Sequence, residues 1–385
     1  QSEKMVRQIV ASAQPTLSKT GGQMILISCV TKDTYINTNN GLQQVEDYIP
    51  DNCTLGYNHI VPFEIDGIEH KQKTDILYDS GITPVKKIHL NNGNVVEVSE
   101  IHPFYIIDES SPFPYFKISK EIKVGNYAIA SCREKTFGNI NKIYFNEYIE
   151  QENNIFNVIG NNIEITKEIA YIIGLIIANG IIDLKNNKIT ILLNNKEIEE
   201  ILSNINNYLY TFEIKKTKKT TYAVLKHFMV GFFKSSICKN KCIRIDKKIL
   251  QLSRENIASL LRGIFDVIGY SSQYNGNVFF ETDKKELAKQ VVMLLDMFGI
   301  QVENINASVI TEDGKNKNIE KIYLNSYFSK IFYEKIGFNV KSKQKNYRLV
   351  QNIKYNFEQI YPKLNKWIYD NLIMKNENLI KDKSK

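Results

Sequence analysis

The chain has 385 residues, 43% hydrophobic and 24% charged, with a formal net charge of +8. That is enough for two or three domains with buried cores, and no uncharged apolar run is long enough to span a bilayer as a helix. Residues 29–134 hold 9 basic and 15 acidic side chains and residues 135–385 hold 38 and 26, so the positive surplus lies in the last part. A phosphate backbone is expected to meet that part alone; the other reading is a lysine- and asparagine-rich compositional bias. The five cysteines, at 29, 53, 132, 238 and 242, form no secreted-type disulfide framework. Cys238 and Cys242 have only His227 nearby, too little for a zinc site. A cytoplasmic, reducing location is expected to keep Cys29 a free thiol. The chain does not begin with Met and ends in a polar lysine-rich stretch, so a piece of a longer reading frame is expected.

Residues 1–28 read as a helix, with Met5, Val6, Ile9 and Val10 on one side, stopped at Pro15. A Gly21-Gly22 turn and an apolar strand, Gln23 to Ile27, follow. Residues 29–134 change character. Short apolar runs (Tyr35-Ile36, Thr54 to Tyr57, Thr74 to Tyr78, Thr83 to Leu90, Asn94 to Val98, Phe104 to Ile107, Tyr127 to Ala130) alternate with turns at Asn40-Gly41, Asp66-Gly67, Ser80-Gly81 and Asn92-Gly93. That spacing predicts an all-β unit. Residues 135–165 are an Asn-rich connector.

Residues 166–345 repeat one pattern, αββαββα, twice. Helices are predicted over Lys167–Ala178 and Lys196–Leu209, with strands near 211–217 and 221–226 and a short helix near 228–236. The order recurs with helices Arg254–Val267 and Lys284–Phe298, strands near 300–309 and 317–324, and helix Tyr327–Ile336. Hairpin turns fall at Lys185-Asn186-Asn187 and Asn275-Gly276, and the first helix of each copy ends at a glycine, Gly180 or Gly269. Residues 346–385 are a helix and a polar tail without assignment.

Three stretches resemble known families. Ser28-Cys29-Val30-Thr31-Lys32-Asp33-Thr34 resembles the first residues of an intein. Val95-Val96-Glu97-Val98-Ser99-Glu100-Ile101-His102 resembles the intein motif Thr-x-x-His, with Ser99 for Thr. The stretch Glu121 to Asn126 is similar to that family's Leu-Lys-x-Gly-Asp, with Asn126 for Asp. Inteins and hedgehog autoprocessing domains share an all-β Hint-type fold, which the resemblance implies for 29–134. It also implies an N-to-S acyl shift: the Cys29 thiolate attacks the Ser28 carbonyl, and the site must stabilise an oxyanion and protonate the departing nitrogen. His102 suits the proton transfer because histidine titrates near neutrality; Ser99 can donate to the carbonyl or hold the backbone. A partly buried histidine beside Pro103 is the bland alternative, and Asp33 reads more readily as a turn residue. No His-Asn ending or downstream nucleophile is present, so full splicing is expected to need a C-terminal intein segment from the same or another chain. Splicing needs no cofactor. Residues 14–28 resemble the ATPase domain of phage terminase large subunits, which would make them an N-extein fragment.

The two repeats, with Ile173-Gly-Leu-Ile-Ile-Ala-Asn-Gly180 and Arg262-Gly-Ile-Phe-Asp-Val-Ile-Gly269, resemble a monomeric LAGLIDADG homing endonuclease. That implies two helices packed through Gly174, Ala178, Ala258 and Gly263. It also implies an acidic residue before each closing glycine, sharing divalent metal. Here those positions are Asn179 and Ile268. Asp266 lies about 200° round the helix from Ile268, and Asp183 lies beyond the glycine. A degenerate hydrolase with little or no DNA cleavage follows, using Mg2+ only if cleavage survives. Binding of double-stranded DNA is a separate expectation. Its candidates are Lys215, Lys216, Lys218, Lys219 and Lys343, with Lys185, Lys188, Tyr274, Lys315 and Lys317 on comparable strands and turns. The rival readings are a free-standing homing endonuclease without splicing, a hedgehog-like autoprocessing domain, and a plain DNA-binding regulator. No membrane partner is expected.

Overall fold

The computed structural model describes residues 30–48, 58–66, 71–78, 82–144, 162–183, 185–186, 188–193, 195–209, 212–216, 221–225, 232–233, 244–310 and 316–354. Ser28, Cys29 and the proposed N-extein lie outside them, as do Lys218, Lys219, Lys315, Cys238, Cys242, His227 and the tail beyond 354. Among the described residues no helix is long and apolar enough to cross a membrane.

The first part is built of strands and short 3-10 turns. β1 (Tyr35–Thr38) and β2 (Gly41–Gln44) form a hairpin that turns at Asn39-Asn40, and Gly41 takes a φ of +90°, which suits glycine. β1 also pairs with β3 (Asn58–Asp66), which pairs with β4 (Lys71–Tyr78). β5 (Val85–His89) and β6 (Val95–Ser99) form a second hairpin, turned at Gly93 with φ +85°. β7 (Pro103–Asp108) lies between β8 (Ser111–Ile118) and β9 (Tyr127–Ala128). The spacing of apolar runs and turns signalled β1, β4 to β7 and β9, whereas β2, β3 and β8 were not foreseen, and the run Thr54 to Tyr57 lies outside the described residues. β5 alternates exposed and half-buried side chains, while Val98, Ile106 and Ile107 of β6 and β7 are fully buried.

β10 (Lys142–Tyr144) and β11 (Asn162–Glu164) pair on the way into the helical part. α1 (Lys167–Asn179) is capped by Thr166, whose side chain accepts the Ile169 N–H. It is apolar nearly all round and buried from Ile169 to Ala178, as expected of a helix in the middle of a core. β12 (Gly180–Asp183), β13 (Lys188–Leu193), α2 (Lys196–Leu209), β14 (Phe212–Lys216) and β15 (Thr221–Leu225) complete the first copy. α3 (Arg254–Ile268), β16 (Gly269–Ser271), β17 (Val278–Thr282), α4 (Lys285–Met297), β18 (Glu303–Ile310), β19 (Asn316–Tyr323) and α5 (Ser326–Lys335) form the second. A short helix, α6 (Lys341–Gln344), follows.

The two sheets are antiparallel and share one topology, β12-β13-β15-β14 and β16-β17-β19-β18. The sequence repeat is therefore a structural repeat. α1 and α3 cross at Gly174 and Gly263: a Cβ on Gly174 would lie 2.2 Å from the Leu260 carbonyl oxygen, and one on Gly263 2.2 Å from that of Tyr171. Ile173, Leu175, Ile264 and Phe265 around this crossing are fully buried.

The strand-rich part is fastened to this core. Leu42 of β2 is buried in the same apolar cluster as α1 and α3. Gln290 of α4 donates to the Tyr35 hydroxyl at 3.2 Å, and Lys247 meets Asp47 at 3.0 Å. Glu134 takes both Arg254 and Lys335, and the Ile140 N–H donates to the Gln251 carbonyl at 3.1 Å.

Candidate functional site

Two places hold the residues singled out in the sequence. The first is the turn that ends β6. Val30 bridges Val98 in antiparallel register, and the Thr31 N–H donates to the Glu97 carbonyl at 3.2 Å. The chain at Val30 and Thr31 therefore lies beside β6, whose last residue is Ser99. The His102 N–H donates to the Ser99 carbonyl at 3.0 Å and closes a tight turn that brings the two side-chain positions onto one loop. The His102 ring sits 5.1 Å from that of Phe104 and is partly buried. The Ser99 hydroxyl is buried and has no hydrogen-bond partner among the described residues. Asp33 is exposed, on the turn closed by Thr34 N–H to the Thr31 carbonyl, which fits the turn reading of that residue.

The second place is the foot of the α1–α3 pair. Asn179 and Ile268 are both only partly buried. The Asn179 amide nitrogen reaches the Leu192 carbonyl at 3.4 Å, and Ile268 packs against the apolar core. Asp266 is 2% exposed and fully engaged. It accepts the Tyr171 hydroxyl at 2.8 Å, the Asn339 N–H at 3.2 Å and the Val340 N–H at 3.3 Å, so it ties α1, α3 and the segment before α6 together. Asp183 accepts both the N–H and the side-chain amide of Asn186 and closes the first hairpin turn. Among the described residues no three His, Cys, Asp or Glu side chains come together as a metal site. Divalent metal needs hard, charged oxygens. One neutral amide, one alkyl side chain and a sealed carboxylate do not fit it.

Burial pushes the Asp266 carboxyl up to about 6, only partly countered by the bonds from Tyr171 and Val340 and the Lys343 charge. This lies above an unfolded aspartate's usual ~3.9. The group thus contributes most to stability below about pH 4, and that contribution is lost as pH rises through about 6, on the order of 3 kcal/mol in all. The difference in melting temperature between wild type and Asp266→Asn should therefore change between pH 5 and pH 7.5, with wild type gaining on the variant as pH falls. Parallel melting curves across that range would contradict it.

Lys343 does not belong with the DNA-binding candidates. Its ammonium is drawn inward and donates to the carbonyls of Phe265, Asp266 and Gly269 at 3.1, 2.8 and 2.6 Å, where a cation suits the C-terminus of α3. Burial pushes its pKa down to about 8, against the opposing pull of Asp266 and Glu197. Its position past the repeat gave no sign that it would fold back over the helix end. Lys284 serves α1 in a similar way, reaching the Ala178 carbonyl at 3.4 Å. Lys215 and Lys216 lie on the edge strand β14 and pair with Glu213 and Glu199. Lys185 and Tyr274 stand exposed at the hairpin turns.

The replication factor C small subunit of Methanocaldococcus jannaschii is 23% identical over 346 residues, covering 85% of this chain and 17% of that protein, so this chain spans under a fifth of its relative. Among solved structures, I-DmoI in complex with DNA and Mn aligns at 12% identity with a TM-score of 0.33, over 45% of this chain and 98% of that one. Full-length WhiA from Thermatoga maritima aligns at 18% identity with a TM-score of 0.35, over 57% and 78% of the two chains. The family model of the LAGLIDADG-like domain matches residues 255–337. That span runs from the first turn of α3 to the glycine after α5, so the match falls on the second αββαββα copy.

Proposed function

We propose that residues 29–134 are the N-terminal part of a protein-splicing element, in which Cys29 attacks the Ser28 carbonyl. The observation that carries this reading is the pairing of Val30 with Val98. With Thr31 bonded to Glu97 and Val30 paired with Val98, the described antiparallel pairing ends one residue short of Ser99. The buried, unpartnered Ser99 hydroxyl supports it further, because an unmade buried hydrogen bond costs about 1–3 kcal/mol and the scissile carbonyl would supply the acceptor. In the step itself the sulfur adds to the carbonyl carbon and the Ser99 hydroxyl steadies the oxyanion. The C–N bond breaks, His102 gives its proton to the nitrogen, and a Ser28 thioester and a free Cys29 amine remain. The Methanocaldococcus relative supports treating the strand-rich and helical parts as one unit, since a match over 85% of the chain takes in much of both.

Hydroxylamine tests this directly. It cleaves a thioester and leaves an amide intact, so folded wild-type protein should yield residues 1–28 as a hydroxamate and residues 29–385 with a free amine. Mass spectrometry should find neither in Cys29→Ala. Wild type that stays whole under prolonged treatment would remove the reading.

For the helical part we infer DNA binding without metal-dependent cleavage. The support is the pair Asn179 and Ile268 at the helix feet, beside the basic surplus of residues 135–385. Supercoiled DNA carrying a bound site should remain unnicked with Mg2+ or Mn2+ at protein excess; nicking that EDTA abolishes would overturn this.

A further inference from the structure

Ser119 is fully buried and opens the 3-10 turn Ser119–Glu121. It holds both ends of the Ser99–His102 turn. Its hydroxyl donates to the Ser99 carbonyl at 2.7 Å, and its N–H donates to the His102 carbonyl at 2.8 Å. The next residue continues the clamp, with the Lys120 N–H donating to the Glu100 carbonyl at 3.0 Å. The Ser119 carbonyl in turn accepts the Lys86 ammonium at 2.9 Å, from the strand paired with β6. Three of the four residues of the turn are thus gripped by one short segment. Only the Ser119 hydroxyl bond among those three is made by a side chain, so only it can be deleted without touching the backbone.

We propose that Ser119 is a positioning residue for the acyl shift, fixing through the Ser99 carbonyl the separation between the Ser99 hydroxyl and the His102 imidazole. The proposal rests on the acyl-shift reading of Cys29. Its chemical logic is the steep dependence of proton transfer on placement, where a shift of ~1 Å costs about a hundredfold. Among the described residues, losing the hydroxyl leaves the Ser99 carbonyl held by the His102 N–H and free to rotate about that bond. The imidazole would then change its surroundings as well as its reach.

The test compares hydroxylamine cleavage of wild type, Ser119→Ala and Thr38→Val in the full chain. Thr38 is a matched control: it is buried, lies in the same strand-rich part and donates to the Gly41 carbonyl and to Gln43 away from the turn. Ser119→Ala is expected to cleave at least about tenfold more slowly and to shift the midpoint of the pH–rate profile, while Thr38→Val keeps both. A bond that is only structural would lower the melting temperature of both variants and move neither readout in folded protein. Wild type that does not cleave takes down the acyl-shift reading and this proposal with it. Wild type that cleaves, with Ser119→Ala equal to it in rate and profile, overturns this proposal alone. Should Ser119→Ala fail to fold, Lys86→Met decides: slower cleavage by several-fold supports the clamp, and an unchanged rate overturns it.

Discussion

In His102→Ala, hydroxylamine cleavage between Ser28 and Cys29 is expected to slow by about 10²–10⁴-fold, the usual worth of a placed acid or base. The reason lies in the leaving group. A thiolate adds to an amide carbonyl reversibly, and the tetrahedral species returns to amide unless the nitrogen is protonated before the C–N bond breaks. Neither Ser99 nor Lys86 is a practical acid for this step: a hydroxyl holds its proton too tightly, and the Lys86 ammonium is engaged with the carbonyls of Ser119 and Lys120. The pH dependence gives a second readout. Wild type needs a deprotonated thiol and a protonated imidazole, so its rate should rise and then fall with pH. Removing His102 should abolish the fall at the alkaline side and leave the thiol's rise. Cleavage at the wild-type rate in His102→Ala, still dependent on Cys29, would mean that the proton comes from elsewhere and that the turn after β6 is not the site.

The elements that sequence made legible are those whose signal is local. α1 reads as a buried helix because Ile169 to Ala178 contains almost nothing polar, and the structure keeps its predicted start at Lys167. Gly174 and Gly263 could be named, with Ala178 and Ala258, because the LAGLIDADG resemblance implies two helices packed through small residues, and the two glycines are where the backbones meet. The hairpin turns predicted at Asn40-Gly41 and Asn92-Gly93 follow from the positive φ that Gly41 and Gly93 adopt. Ser99 and His102 were found by their resemblance to an intein motif, and the backbone closes their spacing of three into a turn. What stayed hidden depends on long-range return of the chain. Ser119 sits in an Ile-Ser-Lys-Glu stretch that looks like ordinary surface, and its partner Ser99 lies 20 residues away. The Lys343 ammonium meets carbonyls of residues 74 to 78 positions earlier, so its charge read as available when it is spent on the end of α3. Asp266 was recognised as unable to replace a carboxylate at 268, but its role joining Tyr171 to Val340 needed the fold.

Alanine at Gly174 or Gly263 is expected to unfold the helical part or to lower its melting temperature by about 10 °C or more, at the usual exchange of 2–4 °C per kcal/mol in a region of this size. In an isolated helix either change would stabilise by about 0.5–1 kcal/mol, because alanine is the better helix former. The sign therefore tests the crossing itself. The added Cβ would lie 2.2 Å from a carbonyl oxygen of the facing helix in both cases. A Cβ has no rotamer with which to escape, and a helical carbonyl cannot turn away without breaking its own hydrogen bond. The helices must separate, and their separation loosens fully buried neighbours such as Ile173, Leu175, Ile264 and Phe265 together. It also stretches the bond from Tyr171 to Asp266, which spans the same pair and would leave a buried carboxylate short of a donor. A combined loss above about 4 kcal/mol is in the range reserved for broken cores and compares with a total stability of about 5–15 kcal/mol for a typical domain. The double variant should cost much less than the two singles added, because the gap that admits one methyl admits the other. Thermal melting of the three variants measures this. Single variants that melt with wild type, or above it, would show that α1 and α3 do not meet at these glycines.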